Sequence, residues 1–139
     1  MELTAVTLQT VEENQNVLFT DVVISGCPSI VHRNGSGLVN LRGLTNQCRA
    51  RFKVSFGANI AVPADGTAGE ISLAISIDGE PLGSTTMIET PAAVEEFSNV
   101  FSAVFVNVPA GCCATIGVRN TSDQAIDVQN ANLIVERVA

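Results

Sequence analysis

Few side chains in this sequence could support catalysis. His32 is the only histidine, so a Ser-His-Asp or Cys-His arrangement would have to use it. It lies in the short segment 29–33, directly before the basic residue Arg33. We interpret His32 as an ordinary strand or interface histidine, and we expect the chain not to be an enzyme.

The carboxylates are spaced poorly for acid–base chemistry or for a metal. Glu12-Glu13 and Glu95-Glu96 are adjacent pairs, and neighbouring residues of an extended chain point to opposite faces. Asp78 and Glu80 flank a turn and Asp65 lies in a loop, so these oxygens could form a calcium site at a strand end. Solvated turn residues are the commoner alternative, and we expect neither a cofactor nor a metal.

The four cysteines, Cys27, Cys48, Cys112 and Cys113, match neither a zinc ribbon nor a CxxC motif. Adjacent cysteines rarely form a disulfide with each other, because ordinary trans backbone geometry does not suit the sulfur dihedral. We expect free, partly buried thiols. Cys27 and Cys48 are the pair that would form a bridge in an oxidising environment.

Composition narrows the class of protein. A net charge of −7 and a pI of about 4.5 argue against nucleic-acid binding, which requires clustered Lys and Arg. No stretch reaches the roughly 18 apolar residues of a membrane helix, and the first ten residues do not resemble a secretory signal. We therefore expect synthesis in the cytoplasm, without a leader and without membrane association.

The length and the low charge content predict one domain, residues 1–139, that associates with copies of itself. A chain of 139 residues fits a single hydrophobic core. Only 15% of the residues are charged, against a typical share of roughly a quarter, and 46% are hydrophobic. A small monomer exposes much of its surface, so the scarcity of charge suggests that part of the surface is covered.

Charge is distributed unevenly along the chain. Five of the seven basic residues lie between Arg33 and Lys53, and none lies between Val54 and Val118, where seven carboxylates occur. A basic face of one subunit could meet an acidic face of the next, but a solvated strand face is the simpler interpretation.

The periodicity predicts an all-β fold. Apolar and polar residues alternate in residues 50–62 and again in 71–77, between turns rich in Gly, Pro, Asn and Asp. Asp78-Gly79 suits a two-residue type I′ hairpin, which makes 80–88 the antiparallel partner of 71–77. Shorter strands are predicted at 3–8, 17–19, 29–33, 38–42 and 113–118, giving about eight to ten strands in a two-sheet sandwich.

The last two long strands have special features. The strand 125–138 changes its apolar phase between Val128 and Ala131, which predicts a bulge near Gln129 and Asn130. Residues 97–108 are apolar on both faces, so both faces must be covered. A sandwich covers only one face of each strand, and a neighbouring subunit is the simplest cover for the other.

The order of these strands resembles the C1q/TNF-like family of trimeric jelly rolls, especially its bacterial and bacteriophage branch. That branch includes the C-terminal domain of exosporium collagen-like glycoproteins. The resemblance rests on RARFKVSFGANIAV, GEISLAISIDGEPL, FSNVFSAVFVNVPAG, CATIGVRNTSD and NANLIVERVA, and covers nearly the whole chain. It implies a homotrimer whose axis is lined by apolar side chains of these segments, predicted here as Phe97, Val100, Phe101, Ala103, Val104, Phe105, Val106, Leu133 and Val135.

The resemblance also implies a function without catalysis. It suggests a structural or attachment module of a phage or prophage particle, such as a head fibre or a capsid decoration protein, with a capsid or surface-fibre protein as partner. The expected location is the virion or a bacterial cell or spore surface. The alternative is a glycan- or receptor-binding trimer on a bacterial surface or spore fibre. Asn34-Gly35-Ser36 and Asn120-Thr121-Ser122 match the glycosylation pattern, but we interpret them as turns.

Overall fold

Strands make up most of the molecule, as predicted. The structure, a computed structural model, describes residues 1–139 and contains twelve strands and one turn of 3-10 helix, Gly83–Thr85. The strands are β1 (Glu2–Ala5), β2 (Gln9–Val11), β3 (Asp21–Ile24), β4 (Ile30–His32), β5 (Val39–Arg42), β6 (Arg49–Ala61), β7 (Ile71–Ile77), β8 (Glu80–Pro81), β9 (Met87–Glu89), β10 (Ser98–Pro109), β11 (Cys113–Asn120) and β12 (Ile126–Arg137).

The strands form two antiparallel sheets. The front sheet has the order β10-β6-β12-β1-β3, with β2 paired to the beginning of β12. The back sheet has the order β4-β5-β11-β7-β8, with β9 paired to the beginning of β7. The predicted two-sheet sandwich is therefore confirmed, and β10 and β3 are the two edges of the front sheet.

One continuous core lies between the sheets. Thirty buried hydrophobic residues form a single cluster. Strand β6 keeps the predicted alternation, because Phe52, Val54 and Phe56 are fully buried while the residues between them are partly exposed. The rings of Phe19 and Phe56 meet edge to face, with centroids 6.2 Å apart.

Two local predictions are confirmed. Asp78 and Gly79 both have positive φ, 52° and 84°, as a type I′ hairpin turn between β7 and β8 requires. The register of β12 against β6 shifts between Gln129 and Asn132, and Asn130 has φ of 56°. The bulge follows from the extra residues on β12, which have no partner on β6.

The partner of β7 is interrupted, which differs from the predicted continuous strand 80–88. The 3-10 turn separates β8 from β9, and both pair with β7. Between them the hydroxyl of Thr85 accepts a hydrogen bond from the Ile75 amide at 2.9 Å and lies 2.8 Å from the Leu82 carbonyl oxygen. A side chain thus satisfies a backbone group that a continuous ladder would have satisfied.

The predicted strand 17–19 is wrong, although Val17 and Phe19 are fully buried. The Val17 amide donates to Val118 and the Phe19 amide donates to Ser36, so the segment bonds two different elements and forms no ladder. The chain becomes a strand only afterwards, as β3. Because β2 and β3 were not predicted, the number of strands exceeds the expected range.

None of the helical segments is long and apolar enough to span a membrane.

Candidate assembly surface

The outward side of β10 has a row of exposed apolar residues. Phe101 and Phe105 are 66% and 61% exposed, and Ala103 lies exposed between them. Phe97, which precedes the strand, is 40% exposed. Two phenylalanine rings on a regular strand, each with most of its surface in water, form a small hydrophobic surface that a partner could cover.

The other side of β10 faces the core. Val100 and Val106 are buried and Val104 is partly buried against the core. The prediction that these three valines contribute to an interface between subunits is therefore corrected for Val100 and Val106, because the back sheet already covers them. Only the outward residues of β10 remain available.

Strand β12 requires a similar correction. Leu133 and Val135 are fully buried inside the sandwich, so they cannot line a surface between subunits. The residue between them, Ile134, points outward and is 39% exposed. Sequence reasoning missed Ile134 because the bulge on β12 leaves the direction of the alternation after it undetermined. No signal in the sequence separates Ile134 from its neighbours, because Leu133, Ile134 and Val135 are all apolar.

The strand pairing arranges these outward residues in one row across the front sheet. Directly paired residues on antiparallel strands share a face. Ala103 pairs with Ser55, Ser55 with Ile134, Ile134 with Glu2, and Glu2 with Ile24. The row therefore runs from one edge of the front sheet to the other.

The opposite edge has a second apolar patch, which the sequence analysis did not identify. All four residues of β3 are exposed, including Val22, Val23 and Ile24 at 39%, 58% and 59%. The apolar run Val22-Val23-Ile24 was the signal, but no strand was predicted there. We call the outward residues Phe101, Ala103 and Phe105 the β10 patch, and the exposed edge residues Val22, Val23 and Ile24 the β3 patch. Within the β3 patch, Ile24 lies on the outward face, whereas Val22 pairs with the core residue Leu3.

Polar residues border the β10 patch on both sides. Toward one end, the Arg51 Nε donates to the Asn107 Oδ1 at 3.0 Å. Toward the other, Asn99 donates its amide to Asn59, and Asn59 donates to Asn130, each at 3.2 Å. An apolar centre with a hydrogen-bonded polar rim is the usual anatomy of a protein interface.

Four of the seven cations lie at one end of the sandwich and nine of the fourteen carboxylates at the other, whereas the sequence analysis considered either a solvated strand face or two faces of opposite charge. At one end of the sandwich the chain passes from β5 into β6 and from β10 into β11. These connections lie together, since Arg49 pairs with Pro109 and Arg42 pairs with Cys113. We call it the basic end, and its cations are Arg42, Arg49, Arg51 and Arg137. The far ends of β2, β6, β10 and β12 meet at the other end, whose carboxylates are Glu12, Glu13, Asp65, Glu70, Glu89, Glu95, Glu96, Asp123 and Asp127.

Solved structures share this arrangement of strands. Comparison of the sequence with protein-family models and with curated proteins finds no match. The globular domain of zebrafish complement 1qA superimposes with a TM-score of 0.64 at 11% identity, over 96% of this chain and 93% of that chain. Murine APRIL superimposes with a TM-score of 0.65 at 12% identity, over 97% of each. The chain has the C1q/TNF-like jelly-roll fold. Membership in the bacterial and bacteriophage branch stays a prediction.

In this jelly roll His32 makes a structural contact. Its Nδ1 lies 3.0 Å from the carbonyl oxygen of Leu38, within the hairpin that joins β4 and β5. Its Nε2 is buried without a hydrogen-bond partner. The buried Nε2 has no hydroxyl, thiol or other donor within hydrogen-bond distance, so the structure shows no catalytic pair at His32.

Of the three carboxylates considered for calcium, Asp78 makes a hydrogen bond that stabilises a turn of the jelly roll. The Asp78 Oδ1 accepts the Thr115 amide at 2.9 Å, which ties the β7–β8 hairpin to β11. No group of three or more His, Cys, Asp or Glu side chains is arranged so that it could hold a metal ion.

The cysteines are free, and all four are exposed, so the expectation of partly buried thiols is wrong. Each lies just outside or at the beginning of a strand of the jelly roll, where the chain turns at the basic end. The Cys48 carbonyl accepts the amide of Ala110, and the Cys112 carbonyl accepts the amide of Gly43. These bonds hold the two turns that contain Cys48, Cys112 and Cys113 against each other.

Proposed function

We propose that this chain is a non-enzymatic binding module that assembles as a homotrimer through the outward face of its front sheet. The observation on which this depends is the exposure of Phe101 and Phe105 side by side on a regular edge strand. Burying a phenylalanine contributes roughly 1.5–3 kcal/mol, so the two rings supply a substantial part of the energy of one contact.

The two apolar patches support a closed ring. The β10 patch and the β3 patch lie at opposite edges of one sheet and differ in shape, since one consists of aromatic rings and the other of branched aliphatic side chains. A contact between unlike patches is heterologous, and heterologous contacts form a ring when the rotation from one subunit to the next closes. The number three comes from the resemblance to trimeric jelly rolls.

Substitutions on the two faces of β10 test the proposed trimer. Light scattering at micromolar concentration should give three times the 14.5 kDa mass of one chain. Phe101→Asp or Phe105→Asp should yield folded monomers, because each subunit would place an unpaired charge in a desolvated contact, at a cost of several kcal/mol. Val106→Asp should prevent folding, because Val106 lies in the core.

The matched control is Asn107→Asp, on the same strand and the same face. It introduces the same side chain outside the β10 patch. The Arg51 guanidinium, which donates to the Asn107 amide oxygen, can donate to a carboxylate oxygen in this variant. This variant should remain a trimer. A monomer at all concentrations of the unmodified protein, or dissociation of Asn107→Asp as complete as that of Phe105→Asp, would overturn the proposal.

At the finer level, we propose that the trimer is a structural or attachment module of a phage or prophage particle, such as a head fibre or a capsid decoration. The acidic composition supports a protein partner over nucleic acid, and the small share of charged residues supports assembly. The location would be the virion or a bacterial cell or spore surface. The alternative is a trimer that binds glycans or a receptor on such a surface.

Two binding assays distinguish these possibilities. The trimer should retain a capsid or surface-fibre protein when it is mixed with intact particles, and it should bind no sugar reproducibly on a glycan array. Reproducible sugar binding without a particle partner would favour the glycan-binding alternative.

A further inference from the structure

A groove lies beside the beginning of β3, at the edge of the front sheet opposite β10. Its volume is about 230 Å³. We call it the Leu18 groove, and it is lined by Ala5, Thr7, Leu8, Gln9, Leu18 and Thr20. Leu8 and Leu18 are 49% and 48% exposed, so two large apolar side chains of the groove are left half in water. An apolar cavity of about 150 Å³ can bind benzene, so the groove has room for one aromatic ring.

Hydrogen bonds fix the backbone on one side of the groove. The Leu18 amide donates to the Gln9 Oε1 at 3.0 Å, and the Gln9 Nε2 donates to the Leu18 carbonyl oxygen at 2.9 Å. The amides of Val17 and Phe19 are also hydrogen-bonded, and both side chains are fully buried, which leaves Leu18 between them directed away from the core. A groove that is already formed before a partner arrives loses little conformational entropy on binding.

The strand register places this groove level with one end of the β10 patch. One row of paired residues crosses the whole front sheet and consists of Phe101, Gly57, Asn132, Thr4 and Asp21. The groove residues Ala5 and Thr20 are the immediate chain neighbours of Thr4 and Asp21. A second row consists of Ser98, Ile60, Val128 and Gln9. The groove therefore lies between the levels of Phe101 and Ser98.

In a ring whose axis runs parallel to the strands, every subunit keeps the same level along that axis. The β10 edge of one subunit then meets the β3 edge of the next with these rows aligned. Phe105 lies four residues beyond Phe101, about 13 Å along the strand, so its ring is too far from the groove. Phe97 lies just beyond the row of Ser98, but it is 40% exposed against 66% for Phe101 and has less apolar surface to bury.

We infer that the Phe101 ring of one subunit inserts into the Leu18 groove of the next subunit. This inference rests on the proposed trimer and names the residues that form its contact. It assigns to Leu8 and Leu18, which the trimer proposal does not use, the role of apolar walls for a partner's ring. It assigns to Gln9 the role of holding the Leu18 backbone in position.

Leu18→Asp tests the groove itself. The variant should raise the concentration at which half of the chains are trimeric by about tenfold or more, because it places a charge in a desolvated contact. Leu44→Asp is the matched control, since Leu44 is 47% exposed but lies between β5 and β6 at the basic end. It should leave that concentration unchanged. Light scattering over a dilution series gives the mass, and the far-UV spectrum checks the fold of each variant.

A pair of introduced cysteines tests which edges meet, with Phe101, Leu8 and Leu18 left intact. Serine first replaces the four native cysteines, all of which are exposed. Thr20→Cys combined with Asn99→Cys should then link subunits covalently in a glutathione redox buffer. Within one subunit the two positions lie at opposite edges of five strands, about 19 Å apart, which is too far for a disulfide.

The control pair is Thr20→Cys with Asn107→Cys. Asn99 and Asn107 are both exposed asparagines on the outward face of β10, but Asn107 lies eight residues further along, about 26 Å from the level of the groove. The control should give at least about tenfold less linked product, because a disulfide requires Cα atoms within roughly 7 Å. Intact mass under non-reducing conditions measures both yields.

Several results would overturn the inference and leave the trimer proposal standing. The unmodified protein would be trimeric, but Leu18→Asp would dissociate no more than Leu44→Asp, or the Asn99→Cys pair would link no better than the Asn107→Cys pair. Loss of capsid-protein capture by a Leu18→Asp variant that stays trimeric would likewise assign the groove to a different partner. A monomeric unmodified protein would overturn both proposals.

Discussion

Asn120 is the polar side chain most deeply embedded in the sandwich. It is fully buried, and its Oδ1 accepts the Ser122 amide at 2.8 Å. Its Nδ2 donates to the carbonyl oxygens of Val11 and Gln124 at 3.0 and 2.9 Å. One amide group therefore connects β2 to the loop between β11 and β12. Its glycosylation pattern has no accessible acceptor nitrogen, and it lies where β11 ends and the chain bends toward β12, in agreement with our interpretation of the pattern as a turn.

Asn120→Ala should lower the free energy of unfolding by about 3 kcal/mol, because it leaves buried backbone groups without partners. Denaturant unfolding at fixed protein concentration measures the loss. Asn107→Ala is the control, since Asn107 is exposed, and it should cost about 0.5 kcal/mol or less. Equal losses for the two variants would contradict this role of Asn120.

The β7–β8 hairpin is the element whose geometry was predicted most completely. Asp78 and Gly79 both adopt positive φ, and the Asp78 side chain also accepts the Thr115 amide. A type I′ turn requires this backbone conformation at both central residues, so a dipeptide alone predicts it. The continuation of the hairpin was predicted less well, because the hydroxyl of Thr85 replaces part of the backbone ladder.

Gly79→Ala should therefore destabilise the protein by about 1 kcal/mol, since an L side chain is unfavourable at φ of 84° even though nothing lies within 4 Å of the added methyl group. Gly83→Ala is the control. A methyl group at Gly83 also meets nothing within 4 Å, but Gly83 does not have positive φ. It should leave stability unchanged or raise it slightly. Thermal unfolding of both variants measures the difference in stability. A similar loss of stability for both would contradict the expected strain at Gly79.

The whole molecule is stabilised by one core and does not depend on its cysteines. The core joins both sheets, whereas the four thiols are free and exposed at the basic end. The jelly roll also separates charge along its length, since nine of its fourteen carboxylates lie at the end opposite the thiols. The free thiols are therefore separate from the core that holds the fold together.

Freshly prepared protein should melt at the same temperature with and without reductant, within about 1 °C, which corresponds to a few tenths of a kcal/mol. The reason is that no disulfide contributes to the folded state. Scanning calorimetry with and without a phosphine reductant provides the measurement. A large fall on reduction would contradict the expectation, because loss of a structural disulfide typically costs about 2–5 kcal/mol.

The sequence alone determined the local features of this protein. Alternation in β6 and β7, the turn at Asp78-Gly79 and the bulge near Asn130 follow from side-chain periodicity and from backbone preferences of a few adjacent residues. The all-β class and the two apolar faces of β10 follow in the same way. These features need no knowledge of what lies across the sheet.

Only the tertiary structure decided which surface is available to a partner. Leu133 and Val135 were predicted at an interface but are in the core, while Ile134 and the β3 patch were missed and are exposed. Apolar alternation gives two faces without saying which one the second sheet covers, and a shift of one residue exchanges them. The convergence of Cys48 with the turn of Cys112 depends likewise on pairing between segments distant in sequence, which local periodicity does not encode.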